Sequence, residues 1–379
     1  MKTFQFRLRP TEHQRTLLRQ TLDACRWVYN ETLATRKNAW EREKKSLSLY
    51  DTNKLLTGWK ADQPALAQVH SQVLQNAQER VDLAFKAFFR RVKAGESARG
   101  YPRFKSFRRY DSFTFKQSGF HLRDTELLLS KIGVVKIVQH RPVEGKIKTL
   151  TIRRDSVGNW FASFSCEVTA CPLPPNDRAV GVDLGLTTFA VLSDGNEIER
   201  QRWMKRDAKD IARLQRKKEK FEIGSLERQK VVHALQHAYQ RQTNRRKNFA
   251  HQESRKLVNT YQFIAFEHLK IAEMQSQGNT VINRGIADVG WNQFVQFTTY
   301  KAEGAGRGVV RVDPKHTTQI CSGCGELVPK DLSIRTHDCP HCGLKLSRDL
   351  NAALNILARG LASFRPGPVE AAGLPAPAE

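Results

Sequence analysis

The sequence lacks any long apolar run. No stretch of its 379 residues approaches the ~20 consecutive apolar residues that a membrane-spanning helix needs. The opening MKTFQFRLRP also lacks the apolar core of a signal peptide. We therefore expect a chain that is neither secreted nor bound to a membrane.

Cysteine and acidic residues are both scarce. Four of the seven cysteines fall in one stretch near the end of the chain, while Cys25, Cys166 and Cys171 are scattered, so we expect reduced cysteines in a cytosol rather than a disulfide framework. Asp and Glu number 38 against 63 Lys and Arg, which gives a net charge of +25. Such an excess predicts a polyanionic partner, and without a membrane segment this partner is expected to be nucleic acid.

The first half of the chain predicts a sheet with a helical insertion. Phe4, Phe6 and Leu8 alternate with polar residues as in a half-buried strand, and residues 11–95 have helical periodicity. Residues 96–175 break into short strand-like pieces separated by glycines. We therefore expect a small β-barrel domain from residues 1–10 and 96–175, with residues 11–95 inserted between its strands.

The second half alternates buried strands with helices. AVGVDLGLTTFAVLSDGNEI is typical of a hairpin, FIAFEHL and GVVRVDP of buried strands, and GWNQFVQFTTYKAEG of a core helix. Residues 200–256 contain 18 Lys and Arg against 6 Asp and Glu, which fits a solvated helical hairpin or a nucleic-acid surface equally well. The tail from Gly360 is rich in Pro, Gly and Ala and is expected to be disordered.

Four cysteines have the spacing of a structural zinc site. Cys321 and Cys324 form one Cys-x-x-Cys pair, and Cys339 and Cys342 form a second after fourteen intervening residues. Four thiolates at this spacing predict one tetrahedral zinc ion in a closed ribbon over residues 316–342. The neighbouring His316, His337 and His341 are then bystanders.

Three acidic residues stand in unusual places. Asp183 and Glu267 each interrupt a strongly apolar strand, where an ionised carboxylate is costly unless a cation or hydrogen bonds compensate its charge. Asp349 begins the helix DLNAALNIL on the same side as its apolar residues. Separately, the first two acids could end their strands near solvent, and Asp349 could serve the helix dipole behind an N-cap at Ser347.

Together the three acids predict a nuclease. The order strand hairpin, strand, helix is that of an RNase H-like domain, in which three carboxylates hold two Mg²⁺ ions for phosphodiester cleavage. We therefore expect a mixed α/β multidomain protein: the β-barrel domain, and a nuclease domain over residues 176–315 and 343–359 that carries the zinc ribbon.

The motifs GVDLGLTTFAVLSDG, FIAFEHL and CSGCG…CPHCG…SRDLNAALNIL resemble the three RuvC motifs and zinc ribbon of the TnpB family. RLRPTEHQ…YNETLA, LQNAQERVDLAFKAFFRRVKAG, GYPRFKS and GWNQF also resemble landmarks of this family, so the resemblance extends from about residue 4 to residue 358. These transposon-encoded, RNA-guided DNA nucleases, also labelled OrfB-type transposases, are similar to type V CRISPR effectors.

The resemblance implies a wedge domain, a recognition insertion and a RuvC domain with Asp183, Glu267 and Asp349 as the catalytic and Mg²⁺-binding triad. It implies a guide RNA from the transposon end, a double-stranded DNA target beside a short motif, and a monomeric ribonucleoprotein in a prokaryotic cytoplasm, at the nucleoid. Ser347 stands where the family often has Asp. Gln75 matches a family position near the target-adjacent motif, although the sequence alone favours exposed helix surface.

Other nucleic-acid contacts are less defined in the sequence. Arg348 could contact the cleaved strand or only solvent. The segment GYPRFKSFRRYDSFTFK, which includes Arg103 and Lys105, suits contacts with a nucleic-acid backbone, but it also fits a basic loop with core phenylalanines.

Two alternative functions remain. An RNA-guided repressor derived from such a nuclease would lose one or more of the triad acids, whereas all three are present. A DNA-strand transposase would need a tyrosine nucleophile, but Tyr29, Tyr239 and Tyr261 have no His-x-His partner nearby.

Overall fold

The computed structural model describes residues 1–269, 274, 276, 280–331 and 333–364. Contacts between residues divide the chain into two compact units, Met1–Thr169 and Ala170–Glu379. None of the helices in the described ranges has the length and apolar character needed to cross a bilayer. Residues 365–379 of the predicted tail lie outside the described residues.

The first unit is built on one antiparallel sheet. Its strands are β1 Lys2–Arg9, β2 Ser112–Phe115, β3 Phe120–Arg123, β4 Glu126–Leu129, β5 Gly133–Val138, β6 Lys146–Arg154 and β7 Trp160–Glu167. They pair in the order β2-β6-β7-β1-β5-β4-β3. The two edge strands, β2 and β3, are consecutive in the chain, and the rings of Phe115 and Phe120 lie 6.2 Å apart. Because its edges approach each other, the sheet is nearly closed, and the predicted barrel is confirmed.

Four helices separate the first two strands of this sheet, as predicted. They are α1 Glu12–Glu43, α2 Leu49–Asp62, α3 Pro64–Ala67 and α4 Ser71–Lys93. A capping box begins α1: Thr11 Oγ1 accepts from the Gln14 N–H at 3.3 Å, and Gln14 Oε1 accepts from the Thr11 N–H at 3.0 Å. Leu18 and Val28 on α1 are buried in one core with Phe4 of the central strand.

The second unit is built on a five-stranded sheet with helices on both faces. Its strands are β8 Ala179–Leu184, β9 Ala190–Leu192, β10 Glu197–Ile198, β11 Phe263–Glu267 and β12 Gly308–Val312. Its helices are α5 Trp203–Glu219, α6 Leu226–Thr260, α7 Thr280–Val289, α8 Trp291–Ala305 and α9 Arg348–Ser363. The strand order is β10-β9-β8-β11-β12, in which β8, β11 and β12 are parallel.

Strand alternation divides the residues of β8 and β11 between the two faces of this sheet. Val182 and Phe266 belong to the core that includes Trp291 and Phe294 of α8. Ala265 belongs to a separate core with Ile356 of α9. One face of the sheet therefore packs on α8, and the opposite face packs on α9.

The predicted start of the disordered tail is wrong, because α9 continues through Gly360 to Ser363. The helix passes so close to the sheet that a Cβ at residue 360 would lie 2.5 Å from the Cβ of Ala265. This glycine is therefore required by close packing and does not mark the end of the helix.

A small third sheet lies between β12 and α9 in the chain. It pairs β13 Thr336–Asp338 with β14 Lys345–Ser347 in antiparallel register. The second strand begins after Cys342, where the predicted ribbon ends, and leads directly into α9. Helix α9 is thus the immediate continuation of this sheet.

Candidate active site and metal centre

Two neighbouring parallel strands bring Asp183 and Glu267 together. Val182 on β8 is paired with Phe266 on β11, so the next residue on each strand is one of the two acids. Because side chains alternate along a strand, both acids point away from the α8 core and toward the face that α9 covers. The parallel register alone makes these two carboxyl groups neighbours.

The carboxyl groups of Asp183 and Glu267 are close enough to hydrogen-bond to each other. Burial is the main cause that raises the pKa of Asp183 to about 7, and the negative charge of Asp349 raises it further. Burial is likewise the main cause that raises the pKa of Glu267 to about 8, and the negative charge of Asp183 adds to the rise. Two buried carboxylates this close cannot both be ionised at neutral pH without a compensating cation.

Asp349 reaches the same face of the sheet from the first turn of α9. Ser347 caps this helix by accepting the Leu350 N–H at 3.1 Å. At Gly181, two residues before Asp183, a Cβ would lie 2.0 Å from the carbonyl oxygen of Ala353. The helix therefore lies directly on β8, and its first turn ends up beside the end of that strand.

Arg348 is buried beside the acids, so of the two alternatives for this residue the one in which it meets only solvent is wrong. Its side chain is 8% exposed. The guanidinium donates to Asp349 Oδ1 from Nε at 3.3 Å and from Nη2 at 3.2 Å, and to the Ile334 carbonyl from Nη1 at 3.3 Å. Its positive charge also lowers the pKa of Asp183. It therefore offsets part of the negative charge of the acidic cluster.

The acidic cluster fits a hard divalent cation. Carboxylate oxygens are the ligands that Mg²⁺ prefers, and a cation at Asp183 and Glu267 would replace their protons. Within the described ranges, the cysteine group alone has all its ligand atoms within 4.8 Å of one another. The three acids do not form such a tight group, and Asp183 and Glu267 are hydrogen-bonded to each other, so Asp349 is the more distant member. The Asp349 carboxylate is paired with Arg348 instead.

The four cysteines lie together in a cluster that could hold the predicted zinc ion. Cys321 Sγ lies 3.6 Å from Cys342 Sγ, and Cys324 Sγ lies 3.6 Å from Cys339 Sγ. A tetrahedron with Zn–S bonds of about 2.3 Å has sulfur–sulfur edges of about 3.8 Å, so the cluster has the size that zinc requires. The neighbouring histidines are not part of this group.

Both cysteine pairs lie in the same kind of turn. In the first, the Cys321 N–H donates to the Glu326 carbonyl and the Gly325 N–H donates to the Cys321 carbonyl, each at 2.9 Å. The second repeats these bonds between Cys339 and its neighbours Gly343 and Leu344. Both glycines have positive φ, of 81° and 76°, which favours glycine at these positions.

Two asparagines of α9, which sequence reasoning missed, connect the zinc site to the helix that carries Asp349. Asn351 Oδ1 accepts from the Ser322 N–H at 2.9 Å, and its Nδ2 donates to the Ile320 carbonyl at 2.7 Å. Asn355 Nδ2 donates to the Thr317 carbonyl at 2.8 Å and to that of Ile320 at 2.7 Å. A signal was available, because two asparagines at i and i+4 on an apolar helix face need polar partners.

The remaining predicted nucleic-acid residues belong to the first unit. Gln75 is an exposed residue of α4, which agrees with the helix-surface interpretation. Arg103 is exposed and Lys105 half-buried in the segment that precedes β2. In the second unit, the basic helix α5 has no buried residue, and Asp207 ties it to α6 through Arg245 at 3.0 Å.

Three family models match successive parts of the chain. Residues 1–45 match one described as "Helix-turn-helix domain", residues 163–277 match "Probable transposase", and residues 291–356 match "Cas12f1-like, TNB domain". In the structure, residues 1–45 form β1 and the single long helix α1.

Curated relatives match along nearly the whole chain. A Streptomyces pristinaespiralis protein named "Putative RNA-guided DNA endonuclease" is 34% identical over 370 residues, which cover 96% of this chain and 90% of the relative. The Escherichia coli K12 protein "Putative RNA-guided DNA endonuclease InsQ" is 30% identical over 99% of this chain and 96% of its own. "TnpB-like protein L79" of Acanthamoeba polyphaga mimivirus is 30% identical over 60% of this chain and 46% of its own.

Among solved structures, a CRISPR-Cas12f ternary complex aligns at 13% identity and a TM-score of 0.39, covering 90% of this chain and 81% of that one. This TM-score is too low to support an inference. The sequence relatives and the family models show that the chain belongs to the TnpB family, whose members are also labelled OrfB-type transposases.

Proposed function

We propose that this protein is an RNA-guided DNA endonuclease of a transposon, which cleaves target DNA beside a short adjacent motif. The observation that carries the proposal is the adjacent carboxyl groups of Asp183 and Glu267, with Asp349 on the same face of the sheet. Hydrolysis of a phosphodiester by two metal ions requires such a cluster of carboxylates and no protein nucleophile.

Asp183, Glu267 and Asp349 are the proposed ligands of two Mg²⁺ ions. When bound, these ions supply positive charge for the attacking and leaving oxygens of the phosphodiester. Asp183 and Glu267 would become ligands by giving up their protons, and Arg348 orients the Asp349 carboxylate through two hydrogen bonds. The zinc ribbon has a structural role, because four cysteine ligands leave no open position for substrate.

The proposed partners are a guide RNA and double-stranded target DNA. A net charge of +25 suits a protein that binds nucleic-acid backbones and leaves sequence recognition to base pairing. Both relatives that match along nearly the whole chain carry the name RNA-guided DNA endonuclease. We propose that the protein works as a monomeric ribonucleoprotein at the prokaryotic nucleoid.

The test is cleavage by the protein purified with its RNA. Wild-type protein should cut a matched duplex in Mg²⁺, and Asp183→Ala should bind the same duplex without cutting it. Asp288→Asn is the matched control, because Asp288 is also buried but accepts the Met204 N–H at 3.1 Å, a bond that asparagine can keep. Equal cutting by wild type and Asp183→Ala would refute the assignment.

Two other outcomes distinguish the alternative functions. Wild-type protein that binds a matched target but never cuts it would be a repressor. A covalent protein–DNA adduct that forms without metal would indicate a transposase with a protein nucleophile.

A further inference from the structure

The segment between α4 and β2 combines positive charge with aromatic rings. Residues 99–110, RGYPRFKSFRRY, contain five Arg or Lys, four aromatic residues and no acid. Apart from one 3₁₀ turn at Phe107–Arg109, they form no helix or strand. We call these residues the basic aromatic segment.

Three of its four aromatic residues are exposed, and of these Tyr101 packs edge-on against Phe85 and Phe88 of α4, whereas the other two are the phenylalanines. Phe104 is 52% exposed and Phe107 is 55% exposed. By contrast, Phe113 and Phe115, a few residues later on β2, are each 1% exposed and belong to the core. A single exposed ring is ordinary, but two rings three residues apart among unpaired cations mark a candidate binding surface.

The exposure is built into the fold, because side chains of two helices fix the backbone of the segment. Asn30 on α1 donates to the Lys105 carbonyl at 3.0 Å and accepts from the Lys105 N–H at 2.8 Å. Arg91 on α4 donates to the carbonyls of Arg99 at 2.7 Å and Gly100 at 2.9 Å. A loop held at both points presents its rings without a large cost in ordering.

The segment also borders a cleft of about 410 Å³, a volume in the range of pockets that hold small ligands. Tyr29, Lys105 and Arg109 line it, and Lys105 Nζ lies 5.9 Å from the centre of the Tyr29 ring. Asp111 lines it as well, but Arg153 pairs with that carboxylate at 2.9 Å.

The cations of this region are available for an anion. No described carboxylate forms an ion pair with Lys105 or Arg109, nor with Arg103 or Arg108 of the same segment. Arg80, which also lines the cleft, already donates to the Ser112 carbonyl at 2.7 Å and to Thr114 Oγ1 at 3.1 Å. The positive charge at the mouth of the cleft therefore comes from the segment itself.

We propose that the basic aromatic segment and the adjoining cleft bind unpaired nucleotides. Bases stack on Phe104 and Phe107, while phosphates meet Arg103, Lys105 and Arg109. Rings select unpaired strands because the bases of a duplex are already stacked on each other, whereas every unpaired base offers a free face. The proposal rests on the proposed RNA-guided function, which supplies unpaired nucleotides in the guide RNA and in the displaced DNA strand.

The test measures binding of labelled oligonucleotides to the full-length chain without guide RNA or added Mg²⁺. The probes are single-stranded RNA and single-stranded DNA of about 15 nucleotides, near the site sizes of such surfaces, and the matching DNA duplex. The test variant is Phe104→Ala with Phe107→Ala. The control is Trp40→Ala with Tyr50→Ala, which removes two rings that are 55% and 68% exposed elsewhere in the same unit.

Removing Phe104 and Phe107 should weaken single-strand binding by about tenfold or more, change duplex binding by less than about twofold, and leave the salt dependence unchanged. Lys105→Gln should instead reduce the slope of log affinity against log salt by about one unit and act on all probes alike. A larger loss on RNA identifies the guide as the natural ligand, and a larger loss on single-stranded DNA identifies the displaced strand.

The proposal is overturned if the double variant binds single strands as tightly as wild type, or loses single-strand and duplex binding equally, while its melting temperature stays unchanged. Because no cleavage is measured, this outcome is independent of the nuclease test. Failure of guided cleavage would refute the proposed function and leave the strand-binding result standing.

Discussion

The side-chain amide of Asn351 accepts the backbone N–H of Ser322 at 2.9 Å. Ser322 lies between two zinc-site cysteines, and Asn351 lies two residues after Asp349 on α9. One buried hydrogen bond therefore ties the first cysteine turn to the helix turn that presents an acid of the candidate active site. The cysteine pairs and the acidic helix are adjacent in the sequence because the fold uses one to position the other.

Asn351→Ala should damage both ends of this connection. It leaves the Ser322 N–H without its partner, and an unsatisfied buried group costs about 1–3 kcal/mol. The Ile320 carbonyl loses one bond but keeps the one from Asn355. We expect a lower melting temperature, weaker zinc retention against a chelator, and slower cleavage of a matched target.

The control for Asn351→Ala is Arg359→Ala on the same helix. This variant loses two exposed bonds, to the carbonyls of Asp313 and Lys315 at 2.8 Å each, but none to the cysteine turn. It should retain zinc like wild type. An Asn351→Ala protein with wild-type zinc affinity and cleavage would show that the connection has no functional part.

Cys339→Ser should remove the zinc ion and reduce both stability and cleavage. The backbone N–H of Cys342, and to a lesser extent that of His341, donates to the Cys339 sulfur. These bonds lower the pKa of the Cys339 thiol to about 6, so its thiolate forms readily. Metal analysis should find one zinc per wild-type chain and much less in the variant. Cys171→Ser, at an exposed cysteine outside the cluster, is the control and should match wild type. A Cys339→Ser protein with full zinc and full activity would refute the structural assignment.

The sequence was sufficient for the barrel, the cysteine cluster and the strand positions of Asp183 and Glu267, because each leaves a local pattern. Alternation predicts strands, paired Cys-x-x-Cys motifs predict zinc, and an acid inside an apolar strand is conspicuous. Features that depend on approach between distant elements were not predictable. Gly360 resembled the start of a tail, yet its hydrogen side chain is what lets α9 lie against Ala265.

Side-chain environment was predicted less well than position. Tyr300 has the helical spacing of Trp291 and Phe294 but is 48% exposed, whereas the other two are buried. Arg348 could have met the cleaved strand or only solvent, but it is buried, with its guanidinium bonded to Asp349 and to the Ile334 carbonyl. Such outcomes depend on what packs against a helix, which its own periodicity does not specify.

Arg348→Gln should move the pH dependence of cleavage. The Arg348 charge lowers the pKa of Asp183, so its removal raises that pKa further and delays ionisation of a metal ligand to higher pH. The acid limb of the rate profile should shift upward, with partial recovery of the rate at high pH. Arg335→Gln, which removes an exposed cation 3.9 Å from Asp349, should shift the limb much less. A uniform loss at every pH would mean that Arg348 acts on the substrate or the fold instead.

The raised pKa values of Asp183 and Glu267 should make the stability of the metal-free protein depend on pH. In the folded protein the two pKa values are about 7 and about 8, which is above the values of the same groups in the unfolded chain. Between about pH 4 and pH 8 the folded state therefore binds more protons than the unfolded state. The free energy of unfolding should therefore fall as pH rises through this window, on the order of a few kcal/mol.

Asp183→Asn with Glu267→Gln should flatten this dependence, because neither amide titrates. Mg²⁺ should stabilise wild-type protein more at pH 8 than at pH 6, since at lower pH it must displace a proton, and it should have little effect on the double variant. Calorimetric titration in buffers with different ionisation enthalpies would detect the released proton. If Mg²⁺ bound near neutral pH without proton release, the two carboxyl groups would not be its ligands.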